Sequence, residues 1–374
     1  MSYKAQVLLT VLFATLFADA APYVTNVVAK QRYPWNGLVD VKYEIVGSTN
    51  EISGYVHGSL KAEDRGTGQV YPARTFVKPL ELSEGKHHAI WDMSADAEVV
   101  ATNVVFSVSI EKLALYMVVD LSGGSNATSY PVSYLSRVPE GGWSDEYKTT
   151  KLVLRLIEPG SFKMGGAYDV TLTKPYYMGV FEVTQKQYEL IMGNNPSQFK
   201  GDKLPVETVS WNLIRGDSDV YNWPTIRMVD SNSLVGLLQT RTGLKFDLPT
   251  DAQWEYACRA RTTTTCYWGD VMDGAYTWYK ANSSSMSHPV GTKIPNGWGL
   301  YDMIGNVWEM CLDWNGSLSS GIDVEGSFSG YKRVIRGGSW GGGSDLCTSS
   351  YRGDLRPSDK SNDDGFRIVR TLSK

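Results

Sequence analysis

Cysteine is missing from the whole N-terminal two thirds of this chain. The four that occur, Cys258, Cys266, Cys311 and Cys347, are spaced 8, 45 and 36 residues apart. No disulfide can staple the N-terminal part, and those spacings match no zinc motif. Histidine is as scarce: His57, His87, His88 and His288 are scattered, and no Ser/His/Asp set or phosphate-cradling loop accompanies them. Positive charge is not in excess either. The formal net charge is −4, with Lys and Arg dispersed, which argues against the basic face that a nucleic-acid partner needs. Beyond the first twenty residues no apolar run is long enough for a transmembrane span.

The N-terminus does carry a short apolar run, Ala5 to Phe17, behind Lys4 and ahead of Ala18-Asp19-Ala20. That layout predicts a signal peptide over residues 1–20, cleaved near Ala20, and a secreted or periplasmic protein. No cysteine at the cleavage point supports a lipid anchor.

Residues 21–112 are rich in Val, Ile and Tyr and are punctuated by turn signals such as Asn36-Gly37 and Gly66-Thr67-Gly68. Strands are expected near 24–28, 39–45, 52–60, 71–77, 88–91 and 104–111, giving an all-β sandwich of immunoglobulin or fibronectin type. Residues 113–149 read as a connector that could pack on either neighbour, with a weak glycosylation sequon at Asn126. From residue 150 the composition changes, and nine of the twelve Trp lie there. Thr184 with Gln187, and Thr250 with Gln253, each form a capping-box pattern that starts a helix. The first should stop at Gly193. A third helix is expected over 229–240, stopping before Gly243. The rest is Gly/Asn/Trp loop with short strands near 333–336 and 366–370.

In order, the C-terminal segments are IEPGSFKMGG (157–166), FEVTQKQYELIMGNNPSQFKG (181–201), LPVETVSWN (204–212), LPTDAQWEYACRA (248–260), HPVGTKIPNGWGLYDMIGNVWEMCLDW (288–314), RVIRGGSW (333–340) and GFRIVR (365–370). This series resembles the formylglycine-generating enzyme, or sulfatase-modifying factor, family over residues 150–374. The resemblance implies an irregular α+β domain, distantly C-type-lectin-like, following the all-β part.

In the family, two cysteines shortly after the GGS turn hold a copper ion that oxidises a sulfatase cysteine to formylglycine with O2. Here Ser339-Trp340 is followed by three glycines, and Gly342 stands where the first cysteine belongs. One thiolate does not replace two soft ligands for Cu(I), so copper is not expected. If any catalysis survives, Cys347 and Ser339 are the candidates. Cys347 better resembles the family's structural cysteine, which implies a Cys258–Cys347 disulfide. The family's Ca2+ turn implies one calcium ion on the side chains of Asp302 and Glu309 and the carbonyls of Gly305 and Val307, hard oxygen donors that suit it. Trp298, Trp308, Trp314 and Trp340 are expected as core anchors. Arg336, Arg352, Arg356, Arg367 and Arg370 are expected to pair mostly with Asp345, Asp354, Asp359, Asp363 and Asp364 or with carbonyls.

The function that follows is a divergent, non-catalytic family member that binds a protein or glycan ligand. The alternatives are an oxidoreductase of the family, and a variable ligand-display or cell-envelope adhesion protein.

Overall fold

A computed structural model describes residues 23–31, 38–46, 56–65, 67, 69–73, 76–78, 80, 85–96, 104–112 and 114–372. The expected signal peptide lies outside the described residues. The chain divides into two units, with the break at Ala114/Leu115. No helix among the described residues is long and apolar enough to cross a membrane.

The first unit contains β1 (Tyr23–Gln31), β2 (Leu38–Val46), β3 (Val56–Asp64), β4 (Val70–Pro72), β5 (Phe76–Lys78), β6 (Gly85–Asp92), a single turn α1 (Met93–Asp96) and β7 (Val104–Lys112). Two antiparallel sheets result, in the orders β1-β2-β6-β5 and β4-β3-β7. Alternation along β2 puts Val39, Val41, Tyr43 and Ile45 inward. They share one apolar core with Ala89 and Trp91 of β6, Leu60 and Ala62 of β3, and Val108 of β7. The segment expected as one strand over 71–77 is two: β4 pairs with β3, and β5 pairs with β6 in the other sheet.

The second unit takes in the expected connector. β8 (Tyr116–Asp120) and β9 (Val132–Leu135) pair with each other, and β8 pairs with β10 (Lys151–Ile157). The apolar stretch at 116–121 is therefore core sheet. After β11 (Gly160–Met164), β12 (Tyr168–Leu172) and β13 (Tyr176–Gly179) come the helices α2 (Gln185–Met192), α3 (Trp211–Arg215), α4 (Leu234–Thr242) and α5 (Asp251–Arg259). The chain ends through β14 (Trp308–Trp314), β15 (Gly321–Ile322), β16 (Arg333–Arg336), β17 (Arg352–Leu355), β18 (Asp364–Gly365) and β19 (Val369–Thr371). The sheet orders are β19-β13-β10-β8-β9, β11-β12-β15 and β17-β16-β14-β18. The unit is mixed α and β, mostly sheet.

Both capping boxes form. Thr184 and Thr250 each accept a backbone N–H from the glutamine three residues on, which reaches back in return. α2 stops at Gly193 in the left-handed conformation, as its sequence requires. α4 differs from expectation. It starts at Leu234 rather than 229, because Ser233 accepts the N–H of Gly236 and caps it there. Helix α3 was not expected. Ser210 caps it, and its five residues are too few to show periodicity.

Candidate functional site

Every residue of β14 is buried. It carries Glu309 into the centre of the domain, between the turn 302–307 and the Gly337-Gly338 turn that follows β16. Gly305 and Asn306 have φ of +84° and +62°. A Cβ at Gly305 would collide with the carbonyl of Trp278, so glycine is required there. The turn is locked when Gly305 N–H donates to Gly337 O at 2.9 Å.

Asn306 is the polar hub of this region. Its Nδ2 donates to Glu182 Oε2 (2.6 Å) and to His288 O, and its Oδ1 accepts His288 N–H (2.9 Å). Glu182 also accepts Val307 N–H at 3.2 Å. Burial, aided by the carboxylates of Asp302 and Glu309, pushes Glu182 well above the ordinary carboxylate range. Burial likewise moves Asp302 up to about 6, against the Gly291 N–H that its Oδ2 accepts at 2.7 Å.

Glu309 is fully paired. Its two oxygens receive Arg367 Nη2 and Nε, both at 2.6 Å, and Oε2 also accepts Trp254 Nε1 at 2.8 Å. Arg367 completes its fork on Gly179 O and Tyr301 O. The guanidinium is thus the cation of this buried acidic group. No group of three His, Cys, Asp or Glu side chains among the described residues is arranged to hold a metal ion. Glu309 faces Arg367 in this arrangement, so an ion bound there would have to displace the guanidinium.

Sequence reasoning singled out Asp302, Gly305, Val307 and Glu309, and the structure brings all four to one turn. It missed Glu182. The available signal was an acid inside the apolar stretch Val180-Phe181-Glu182-Val183, where an ionisable group has to find a buried partner.

Arg336, Arg352 and Arg367 each donate to backbone carbonyls, as expected, but their acidic partners are not the expected ones. Arg336 pairs with Asp251 Oδ1 and Glu255 Oε2, each at 2.5 Å, and Arg352 pairs with Asp251 Oδ2 at 2.8 Å. Both acids belong to α5, which packs along β16. Sequence neighbours such as Asp345 and Asp363 are not the partners. Trp308 and Trp314 are core residues, as expected, whereas Trp298 and Trp340 are only partly buried.

The loop after the GGS turn is pinned on three sides. Trp340 N–H donates to Asn306 O, Ser283 Oγ donates to Trp340 O, and Lys280 N–H donates to Gly342 O. Ser339 is buried, and its hydroxyl donates to Asp363 Oδ2 at 2.8 Å. Cys347 Sγ sits 3.8 Å from Ser339 O. A Cβ on Gly342 would lie 3.6 Å from that sulfur. Cys347 therefore faces Gly342 across this loop.

All four cysteines are free and buried, so the Cys258–Cys347 bridge is not formed in this structure. Cys266 Sγ lies 3.6 Å from Cys347 O. Burial raises the Cys258 and Cys347 thiols to about 12 and Cys266 to about 11. None of these three is an activated thiolate at neutral pH.

Residues 144–372 match the family model described as the sulfatase-modifying factor enzyme 1-like domain. The chain belongs to this sulfatase-modifying factor family. Chaperone protein LppX of Paenibacillus barcinonensis is 29% identical over 257 residues, covering 58% of this chain and 89% of LppX. The formylglycine-generating enzyme of Streptomyces coelicolor is 35% identical over 148 residues, 33% of this chain and 46% of that one. The mouse (Mus musculus) enzyme is 30% identical over 195 residues, 44% and 50%. The chain thus spans about half the length of these two sulfatase-modifying enzymes. Among solved structures, Treponema denticola variable protein 1 superposes with a TM-score of 0.49 at 28% identity, covering 60% of this chain and 96% of that one.

Proposed function

We propose that this sulfatase-modifying factor family member is an exported binding protein that acts on another protein without copper–dithiol oxidation. The observation that carries the reading is Gly342 set against Cys347. Gly342 has no side chain where the resemblance implies the first thiol, and burial raises the Cys347 thiol that faces it to about 12. Two soft donors are what a Cu(I) site needs, and the residues present do not supply them. The match to chaperone protein LppX along most of that protein's length adds support for a role in handling a client protein.

Two measurements test this. Purified protein given copper, O2 and a sulfatase-motif peptide should form no formylglycine, and it should slow the aggregation of a heat-unfolded reporter such as citrate synthase. Formylglycine production would replace this reading with the oxidoreductase one. Unchanged aggregation at tenfold excess would remove the chaperone-like reading.

A structural calcium ion on Asp302 and the carbonyls of Gly305 and Val307 is a separate proposal, and it requires Glu309 to exchange Arg367 for the ion. Melting with 5 mM CaCl2 and with chelator decides it; superimposable curves would dismiss the ion. The immunoglobulin- or fibronectin-like label for the first unit and the lectin-like label for the second are likewise proposals, which an experimental structure tests.

A further inference from the structure

The second unit buries eight carboxylates, and seven of them receive a cation or a hydrogen-bond donor. The same holds in the open pocket of about 500 Å³ beside Trp223, where Asp247 receives Arg215 and Glu325 receives Arg227. Asp364 is the exception. It is 7% exposed, and no N–H, hydroxyl or cation among the described residues reaches its carboxylate. Neither of its oxygens is sealed from solvent. Burial, with the Asp363 and Asp359 carboxylates adding to it, moves the group up to about 7. A buried carboxylate with like charges for neighbours is costly until a cation joins it.

The sheet register defines its surroundings. Asp364 on β18 stands beside Trp308 on β14, on the face that also carries Ile335 and Gly353. The Trp308 ring meets the ring of Tyr351, which is 38% exposed, with centroids 5.8 Å apart. Arg336 and Arg352 leave from the opposite face, where Asp251 and Glu255 of α5 hold them. The two neighbouring acids are occupied: Asp363 accepts the hydroxyls of Ser361 and Ser339, and Asp359 accepts the Arg356 N–H.

We propose that Asp364 is the counter-ion of a site for an alkylammonium group, either a free amine or a lysine side chain, whose apolar stem lies against Tyr351 at the edge of Trp308. Aromatic rings favour such a cation beside them. A guanidinium is disfavoured because its fork asks for two acceptors in one plane, and only this carboxylate is vacant. A metal ion is disfavoured because no three acidic, histidine or cysteine side chains among the described residues are arranged to hold one.

The test titrates the full chain, followed by NMR, with three probes of one length: butylamine, 1-butanol and butyrate. At pH 8 the amine should bind about tenfold more tightly than the alcohol, and butyrate should not bind. The amine stays protonated throughout, so its affinity should rise about tenfold between pH 6 and pH 8 as Asp364 ionises. Asp364→Asn should bring the amine down to the alcohol's affinity, and Tyr351→Ala should weaken both. Tyr351 is a surface residue, so its variant keeps the proposal testable if Asp364→Asn fails to fold. An amine no tighter than the alcohol, an amine affinity indifferent to either variant, or no binding at about 50 mM would each overturn the assignment. The blocked peptide acetyl-Ala-Ala-Lys-Ala-Ala-amide separates the two sources. Tighter binding than butylamine assigns the site to a polypeptide side chain, and weaker binding assigns it to a free amine. None of these readouts depends on copper or on a client protein.

Discussion

Arg367 and Glu309 form a closed, two-pronged ion pair at the centre of the domain, with Nε and Nη2 each 2.6 Å from a different carboxylate oxygen and neither side chain exposed. Arg367 lies between β18 and β19 and Glu309 on β14, and through Gly179 O the guanidinium also ties in β13 of another sheet. Lysine cannot reproduce the fork or also reach Gly179 O and Tyr301 O. Arg367→Lys should therefore lower unfolding stability by about 3 kcal/mol, measured by urea titration. A loss below 1 kcal/mol would mean that the pair is not what secures this centre.

Gly342→Cys should create a copper site. The new side chain would start 3.6 Å from the Cys347 sulfur and 3.3 Å from Ser339 O, so the loop must give by a few tenths of an ångström. Competition against a copper(I) chelator should show one tight Cu(I) per chain in the variant and none in the natural protein. Identical competition curves would make Cys347 a packing residue alone.

The cysteines should be silent to Ellman's reagent in the reduced native state, since all four are buried and burial raises every one of their thiols. All four should react once the chain is unfolded in guanidinium. Rapid native labelling would show that a thiol is accessible. Peptide mapping of exported protein under non-reducing conditions separates a Cys258–Cys347 bridge from a Cys266–Cys347 one.

Asp313 should make stability fall as pH rises. Burial, aided by the Asp251 carboxylate, moves it from 3.8 to about 7, while its Oδ2 accepts the Asp251 N–H. Between about pH 4 and pH 7 the folded chain binds more protons there than the unfolded one, so this group's contribution declines across that window. Asp313→Asn keeps the acceptor and removes the charge. The stability of Asp313→Asn relative to wild type should rise between pH 5 and pH 8, by on the order of 1–3 kcal/mol. A pH-independent difference would contradict the shift.

Gly236→Ala should destabilise the protein although alanine is the better helix former. A Cβ at this position in α4 would run into the carbonyl of Asp230, and the Gly236 N–H is the one that Ser233 caps. A loss of about 1 kcal/mol or more in thermal unfolding is expected; a gain would show that the 230–233 turn yields freely.

Some of this protein could be read from the chain alone because its causes are local. Thr184/Gln187 and Thr250/Gln253 fix helix starts within four residues, and Gly193 and Gly243 fix ends, since capping and left-handed turns involve only near neighbours. The alternation in β2 is legible for the same reason. The seven ordered segments reach further. They place the chain in its family.

What the tertiary structure decided depends on residues far apart in sequence. Glu309 could have faced a cation or an arginine, and only the packing of the GFR segment beside β14 supplies Arg367. That Cys347 faces Gly342 could not be read along the chain, because linear distance says nothing about how a glycine-rich loop folds back. The apolar stretch at 116–121 read as part of a connector, since a single strand does not reveal which sheet will accept it. The pocket around Trp223 has no sequence signature at all. Its walls come from segments as far apart as Leu172 and Thr371.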